Sequence, residues 1–232
     1  MESQKQSRNK ESNERLKIQV SKNGPYLVSG GIPLSEQTID TDAEGYSCKW
    51  HKGKEFTAQE NYALCRCGRS KKKPFCDGSH MKVKFNGTEI ASRECYLDQA
   101  EEIDGPELKL TDAEVLCSYA RFCDRAGGIW NLTENSEDSE AKETAIEEGG
   151  NCPSGRLVVW HKQGEAIEPD FEPSLGLVED PKEGVTGPIW VRGAIPVESA
   201  DGTTYEIRNR VTLCRCGKSS NKPFCDSSHV QR

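Results

Sequence analysis

The chain has 232 residues, of which 34% are apolar and 30% are charged, and its formal net charge is −7. This composition argues against one large apolar core, and small modules need bound metal, disulfides or oligomerisation for stability. The acidic balance also argues against general nucleic-acid binding, because that function requires a basic surface.

The first stretch of the chain, residues 1–16, is polar, so it predicts a disordered tail and no secretory signal. No apolar run reaches the ~20 residues that a membrane-spanning helix needs. We therefore expect a cytoplasmic protein without a membrane span. In a reducing compartment its 11 cysteines indicate metal or redox chemistry more than disulfides.

Two sequence elements occur twice and in the same order, which indicates a duplicated module. The segment GPYLVSGGIPL at 24–34 is echoed by GPIWVRGAIPV at 187–197, and both alternate as short strands do. Downstream, CRCGRSKKKPFCDGSH at 65–80 returns as CRCGKSSNKPFCDSSH at 214–229. The first copy carries additional residues between its two elements, around 40–53.

The cysteine loop of each copy has the form C-x-C-x2-S-x3-P-x-C-D-[GS]-S-H, and a short predicted strand delivers its first cysteine. Thiolate and imidazole ligands suit both iron–sulfur clusters and zinc. The C-x-C spacing differs from that of common zinc fingers, whose first pair is separated by two to four residues. A C-x-C pair can take one iron and a C-x3-H pair the other, and the alternatives are a zinc site or unliganded surface cysteines. The predicted ligands are Cys65, Cys67, Cys76 and His80 in the first loop, and Cys214, Cys216, Cys225 and His229 in the second.

Other residues of the loops fit the same purpose. Gly68 and Gly217 are predicted to relax the turn behind the first ligand pair. Asp77 and Asp226 are predicted to cap a helical turn or to orient the ligand histidine. Lysines and arginines around both loops would compensate the charge of a net-negative cluster.

Both loops resemble the CDGSH iron–sulfur domain of mitoNEET-type proteins. The first loop matches the signature completely, and the second has Ser227 where the signature has glycine. The resemblance implies a 2Fe–2S cluster on three cysteines and one histidine in each loop. It also implies compact β-rich modules that pair, so we expect the two halves to form an intramolecular pseudo-dimer in a monomeric chain.

Between the two loops, Cys117, Cys123 and Cys152-Pro153 form the pattern C-x5-C…C-P. Bacterial ferredoxins use C-x2-C-x2-C and a later C-P, and Ala120 stands where the middle cysteine would be. The sequence further predicts a strand at 129–132, an acidic helix over 135–150 and a strand at 157–160.

This middle segment resembles the divergent single-cluster ferredoxin domain. The resemblance implies a 3Fe–4S cluster on Cys117, Cys123 and Cys152, or a 4Fe–4S cluster if Cys95, Asp124 or an outside group adds a ligand. The alternative is a ferredoxin fold whose cysteines are buried and inert, since free cysteine packs as a small hydrophobic residue.

The predicted fold is α+β and β-rich, with two CDGSH modules flanking a ferredoxin-like insert. The boundaries are 1–16 for the tail, 17–104 for the first module, 105–165 for the insert, 166–186 for a linker and 187–232 for the second module.

The expected function is electron transfer by an iron–sulfur protein that is not an independent enzyme, because dinucleotide, P-loop and hydrolase motifs are missing from the sequence. The alternatives are a cluster donor and a redox-sensing interaction module. The expected partners are redox proteins or apo iron–sulfur acceptor proteins.

Overall fold

The structure is a computed structural model that describes residues 16–57 and 59–230. The predicted tail lies outside the described residues except for Leu16. The described chain is β-rich and of the α+β class, which confirms the predicted fold class. Its strands are β1 (Lys17–Val20), β2 (Tyr26–Ser29), β3 (Leu34–Thr41), β4 (Ser47–Phe56), β5 (Asn61–Leu64), β6 (Glu101–Asp104), β7 (Leu108–Asp112), β8 (Leu157–His161), β9 (Ala166–Ile167), β10 (Ser174–Asp180), β11 (Val185–Arg192), β12 (Val197–Glu198) and β13 (Arg210–Leu213).

The helices are short except for the last. They are α1 (Ser79–Lys82), α2 (Tyr96–Gln99), α3 (Ile129–Glu134) and α4 (Ser139–Asn151), with 3-10 helices at Glu114–Leu116 and Phe122–Gly127.

Two sheets are each built from both copies of the repeat. One has the order β12-β1-β2-β5 and the other the order β13-β11-β10-β3-β4. Each copy contains an antiparallel hairpin, β1–β2 in the first and β10–β11 in the second. One strand of the hairpin pairs with the strand that leads to the first cysteine, β2 with β5 and β11 with β13. The hairpin then pairs in parallel with a strand of the other copy, β1 with β12 and β10 with β3. The two halves therefore exchange strands in a pseudo-twofold arrangement.

A single apolar core lies between these two sheets. Its buried residues come from both copies, among them Ile18, Val28, Leu64, Leu177 and Leu213. Because each small module borrows half of this core from the other, the duplication provides the buried apolar area that one module lacks.

The additional residues of the first copy form a hairpin. Strands β3 and β4 pair antiparallel from Leu34 opposite Phe56 to Thr41 opposite Ser47. On this extension Trp50 lies against Phe122 and Trp190, with ring centroids 4.9 and 4.7 Å apart. The hairpin thereby joins the middle segment to the two-copy body.

The middle segment is a separate sheet, β6-β7-β8-β9, covered by α3 and α4. The predicted strand at 157–160 is confirmed as β8, and the acidic helix is confirmed as α4 with Asp138 as its N-cap. The predicted strand at 129–132 is wrong, because these residues form α3. Its buried residues Ile129, Leu132 and Thr133 lie at helical spacing, so packing overrides the strand preference of Ile and Trp.

The segment predicted as a linker, residues 166–186, contains β9, β10 and the beginning of β11. Its prolines and glycines lie largely between or at the ends of these strands. Strand β10 is the hairpin partner of β11, so this part of the chain belongs to the body of the second copy. None of the described helices is long and apolar enough to cross a bilayer.

Candidate metal centres

The first cysteine loop leaves β5 at Leu64 and folds back against that strand. The amide of Cys65 donates to the carbonyl oxygen of Pro74 at 2.8 Å, and the amide of Cys76 donates to that of Ala63 at 2.9 Å. These two bonds close the loop and bring its predicted ligands together in pairs. The sulfurs of Cys65 and Cys67 are 3.8 Å apart, and Cys76 Sγ is 3.4 Å from His80 Nδ1.

The second loop repeats this geometry at the end of β13. Cys214 donates to Pro223 at 2.8 Å and Cys225 donates to Thr212 at 2.9 Å, both through backbone amides. The sulfurs of Cys214 and Cys216 are 3.6 Å apart. Cys225 Sγ lies 3.5 Å from His229 Nδ1. The repeated sequence thus produces the same paired donors twice.

The spacing of each pair fits one metal ion. Two thiolates at about 2.3 Å from a tetrahedral metal are roughly 3.8 Å apart, and a thiolate and an imidazole nitrogen are roughly 3.5 Å apart. Across residues 16–57 and 59–230, no group of three or more His, Cys, Asp or Glu side chains surrounds a single metal position. Each loop instead offers two separate pairs, and this donor set fits a cluster with unlike ends.

Burial and mutual repulsion keep protons on several of these thiols. Burial raises the pKa of Cys67, and the neighbouring charge of Cys65 raises it further. Burial likewise raises the pKa of Cys225, with added repulsion from Cys214. Because metal ligands must be deprotonated, a cluster bound to these thiols would release their protons and its affinity would fall in acid.

His229, the predicted ligand histidine of the second loop, is held in its neutral form. Burial lowers the pKa of His229 to about 4, and the nearby positive charge of Arg215 adds to this effect. Neutral imidazole is the form that binds metal. The second loop therefore has a histidine that is already in the ligand state at neutral pH.

Asp77 and Asp226 brace their loops through backbone amides. Asp77 accepts hydrogen bonds from the amides of Ser79 at 3.0 Å and Lys71 at 2.8 Å. Hydrogen bonding by the Ser79 side chain and by these two amides holds the pKa of Asp77 well below its usual range. Asp226 accepts from Ser228 and Ser220 in the same way. Both aspartates therefore bond to backbone amides of their own loops, but the predicted helix cap is not formed, because the N-cap of α1 is Gly78 without a side-chain bond and no helix is described after β13.

The two loops lie back to back. Gly68 and Gly217 both have positive φ, at +71° and +80°. A Cβ on Gly68 would lie 2.5 Å from the carbonyl oxygen of Cys216, and a Cβ on Gly217 would lie 2.7 Å from that of Cys67. Glycine is needed here for the close approach of one loop to the other as well as for the turn.

Tyr26 is a site residue that the sequence analysis missed. It is fully buried in β2, and its hydroxyl donates to the carbonyl oxygens of Cys214 at 2.8 Å and Pro223 at 3.0 Å. The corresponding residue of the second copy is Ile189, which has no donor. Comparison of the two echoes, GPYLV and GPIWV, shows this difference in the sequence itself.

The three cysteines of the middle segment come together. Cys117, Cys123 and Cys152 line one small cavity with Ala120 and Arg156. Burial raises the pKa of Cys123, and charges on Cys152 and Cys117 raise it further. The residues that the sequence pattern singled out are thus neighbours in space.

Two residues were expected as possible fourth ligands of this group. Asp124 lies beside it, with Oδ1 3.6 Å from Cys123 Sγ. Cys95 is exposed, precedes α2 and does not line the cavity. Asp124 does not line the cavity either and is exposed, so its contact with Cys123 is that of a chain neighbour.

The middle cysteines also adjoin the second loop. Burial is the main cause of the raised pKa of Cys225, and the charges of Cys214, Asp226 and Cys117 raise it further. Arg210 in β13 donates to the carbonyl oxygen of Cys152 at 2.7 Å. Asn221 of the second loop donates to the carbonyl oxygen of Val115 at 3.2 Å. The three cysteine groups therefore follow one another as first loop, second loop and middle segment.

Comparison with known proteins agrees with this layout. Residues 23–81 and 186–230 match the family model described as an iron-binding zinc finger of CDGSH type. Residues 103–162 match the model of a divergent 4Fe-4S mono-cluster domain. The chain is 65% identical over 26 residues to human CDGSH iron-sulfur domain-containing protein 3, mitochondrial, a stretch that covers 11% of this chain and 20% of that protein. No solved structure matches the chain.

Proposed function

Because the chain is an iron–sulfur protein with two CDGSH-type segments around a divergent mono-cluster segment, we propose that it carries single electrons between partner proteins through three clusters. It is a carrier and not an independent enzyme. Each loop holds one 2Fe–2S cluster on three cysteines and one histidine. The ligands are Cys65, Cys67, Cys76 and His80, then Cys214, Cys216, Cys225 and His229, and the third cluster lies on Cys117, Cys123 and Cys152.

The contiguity of the three cysteine groups is the observation that carries this proposal. Gly68 and Gly217 bring the two loops into contact, and Arg210 ties the Cys152 turn to the strand of the second loop. Clusters held this way would be neighbours in a fixed order. A protein that only stored or delivered one cluster would not need such an order.

The bound clusters supply reversible one-electron chemistry, and the protein sets their surroundings. Buried thiols such as Cys65 and Cys214 keep water from one end of each loop. Arg215 is fixed by hydrogen bonds to the carbonyl oxygens of Gly187 at 2.5 Å and Val178 at 2.6 Å. This guanidinium lies beside the loops, and its ion pair with Glu179 at 2.8 Å offsets part of the positive charge that it offers a net-negative cluster.

For the third cluster, three cysteines suffice for 3Fe–4S, and a fourth ligand is needed for 4Fe–4S. The match to a 4Fe-4S mono-cluster model favours the larger cluster. Asp124 adjoins Cys123 in the chain and is exposed, so its carboxylate would have to turn toward the cysteines to complete the larger cluster. Replacing Asp124 with Ala should then leave a 3Fe–4S signal in electron paramagnetic resonance.

Cluster donation is the second candidate function, and the exposed end of the first loop favours it. His80 and Cys76 are only half-buried, and Met81 beyond them is 73% exposed. Donors that are only half-buried can be reached by a docked apo iron–sulfur acceptor protein. The partners would be acceptor proteins in this case and redox proteins in the first. The location stays a prediction, with the cytoplasm expected, while the human relative's name places that protein in mitochondria.

Counting iron and acid-labile sulfide on anaerobically purified protein tests the cluster assignment. About four of each per chain correspond to two 2Fe–2S sites, and about seven or eight irons add the third cluster. Colourless protein with bound zinc after reconstitution would overturn the assignment. Repeated reduction and oxidation without loss of iron supports electron transfer, whereas loss of clusters to an apo-ferredoxin during the same cycles supports donation.

The ligand histidines can be tested as a matched pair. Replacing His80 with Cys should make the first cluster more resistant to acid and lower its reduction potential, because a histidine ligand raises the potential. His229→Cys should do the same for the second cluster only. If acid lability and potential stay unchanged in both variants, histidine is not a ligand.

A further inference from the structure

The two cysteine loops share one backbone turn but place it in different surroundings. The amide of Lys72 donates to the hydroxyl of Ser70 at 3.0 Å, and the amide of Asn221 donates to the hydroxyl of Ser219 at 2.9 Å. Because the turn is the same, these positions lie on equivalent faces of the pseudo-twofold arrangement. What covers one face can therefore be compared directly with what covers the other.

The face of the second loop is covered by other parts of the chain. Asn221 is 9% exposed and donates to the carbonyl oxygen of Val115, in the middle segment, at 3.2 Å. The carbonyl oxygen of Lys222 accepts from the amides of Ile90 and Ala91 at 2.9 and 3.0 Å. The second loop therefore has an internal neighbour on this face.

The equivalent face of the first loop is open and positively charged. We call it the basic face, and its exposed residues are Arg69, Lys71, Lys72, Lys73 and Lys218. Lys218 comes from the second loop but lines the same cleft as Arg69 and Lys73. Within residues 16–57 and 59–230, no carboxylate forms an ion pair with any of the five. Asp77 accepts from backbone amides of its own loop instead.

The basic face adjoins the predicted metal ligands of both loops. Lys218 follows Cys216 by two residues, and its amide donates to Cys216 Sγ at 3.4 Å. Lys73 precedes Cys76 by three residues, and Cys76 is half-buried. A protein bound to this face would therefore lie next to the metal site of the first loop.

We propose that the basic face is the docking surface for an acidic one-electron carrier protein, which binds the first loop as the middle segment binds the second. The middle segment shows the matching charge, since residues 105–165 contain 12 acidic and 6 basic residues and contact the second loop. Complementary charge steers two proteins together and fixes their orientation. The inference rests on the proposed electron transfer, because it names the partner class of the first loop in that function.

The test measures binding of plant-type ferredoxin, a small acidic one-electron carrier, to the immobilised cluster-loaded full chain by biolayer interferometry. We expect saturable binding that weakens by at least about 10-fold between about 0.05 M and about 0.5 M salt, because salt screens exposed charges. Iron and sulfide counts on each sample show that the clusters are present.

The matched variants remove two charges each. Lys71→Ser/Lys72→Asn gives the first loop the side chains that the second loop has at the equivalent positions, so the turn is retained. It should raise the Kd for ferredoxin by about 5-fold or more at the lower salt. Lys49→Gln/Lys182→Gln changes exposed residues on β4 and in the turn after β10, and the Kd should stay within about 2-fold of wild type.

Several results would overturn the proposal. One is a lack of salt-dependent binding, and another is an equal loss of affinity in both double variants. A third is an unchanged Kd with a lower potential of the first cluster in Lys71→Ser/Lys72→Asn, which would mean that these lysines only offset the charge of the cluster. Salt-dependent self-association of the wild type that this variant abolishes would assign the face to the acidic middle segment of a second copy instead.

Electron transfer is measured separately from docking. Stopped-flow mixing with reduced ferredoxin should show reduction of the chain, and the rate should fall in Lys71→Ser/Lys72→Asn but not in the control variant. Ferredoxin that binds in a salt-dependent way but does not reduce the chain would refute the proposed function and leave the docking surface in place.

Discussion

Removing one hydroxyl, in Tyr26→Phe, should destabilise the whole fold and affect the second cluster more than the first. Tyr26 belongs to the first copy, yet its hydroxyl bonds to the carbonyl oxygens of Cys214 and Pro223 in the second. The side chain is fully buried, so water cannot replace the lost donor.

The size of the effect follows from these two bonds. Pro223 keeps a donor in the variant, because the Cys214 amide also bonds to its carbonyl oxygen. The Cys214 carbonyl loses the donor it has from Tyr26 and is left buried without a partner, which costs about 1–3 kcal/mol. A total of about 2 kcal/mol would lower the thermal midpoint of a chain this long by roughly 4–8 °C.

Tyr62→Phe is the matched control. The hydroxyl of Tyr62 also donates one partly buried hydrogen bond, to the carbonyl oxygen of Ile32 at 2.7 Å. Tyr62 lies on β5, which pairs with β2, the strand of Tyr26. Its loss should cost about 1 kcal/mol and leave both reduction potentials unchanged. Thermal unfolding followed by visible absorbance measures the loss of stability in each variant. Potentiometric titration should show a lower reduction potential for the second cluster in Tyr26→Phe and in no other case. Equal midpoints and unchanged potentials in the two variants would refute the reasoning.

Three further substitutions test other parts of the structure. Gly68→Ala adds a Cβ at 2.5 Å from the Cys216 carbonyl oxygen and should lower the free energy of unfolding in urea by several kcal/mol. The control is Gly164→Ala, where φ is positive but the Cβ meets open space, so the loss should be only about 1–2 kcal/mol. Equal losses in the two variants would contradict the contact between the loops. Ser227 has φ +65°, so Ser227→Gly should stabilise the chain by up to about 1 kcal/mol, and an unchanged urea midpoint would argue against strain there. Burial raises the pKa of Glu148 to about 8 despite the opposing charge of Arg125. The folded state therefore keeps a proton on Glu148 that the unfolded state releases near pH 4.5. Because the folded state binds more protons between these two pH values, the stability of the wild type falls as pH rises from one to the other. Glu148→Gln should therefore gain stability relative to wild type across that range, and a gap in urea midpoint that does not change with pH would contradict this account.

Much of the candidate site could be predicted from short-range sequence. Cys65 and Cys67 lie two residues apart and Cys76 and His80 four residues apart, so the chain within each pair is too short to carry its donors far apart. The pairing of donors seen in both loops follows from that spacing. For the same reason the acidic helix and the strand at β8 were predicted within a few residues.

Predictions failed where packing over long separations decides the conformation. The residues at 129–132 contain Ile and Trp and favour a strand by composition, but contact with α4 and β7 makes them helical. Residues 174–180 follow prolines and were predicted as linker. They form a strand because β3, far away in sequence, offers a free edge.

The sequence by itself determined that the chain is a duplication with two Cys/Cys/Cys/His loops and a third cysteine group, because these are patterns of residue identity and local spacing. Only the tertiary structure decided that the copies exchange strands, that Gly68 and Gly217 meet the opposite loop, and that Tyr26 supports the second loop but has no counterpart under the first. These features depend on residues more than 100 positions apart, whose contact is set by burial of a common core and by the hydrogen-bond needs of buried carbonyls.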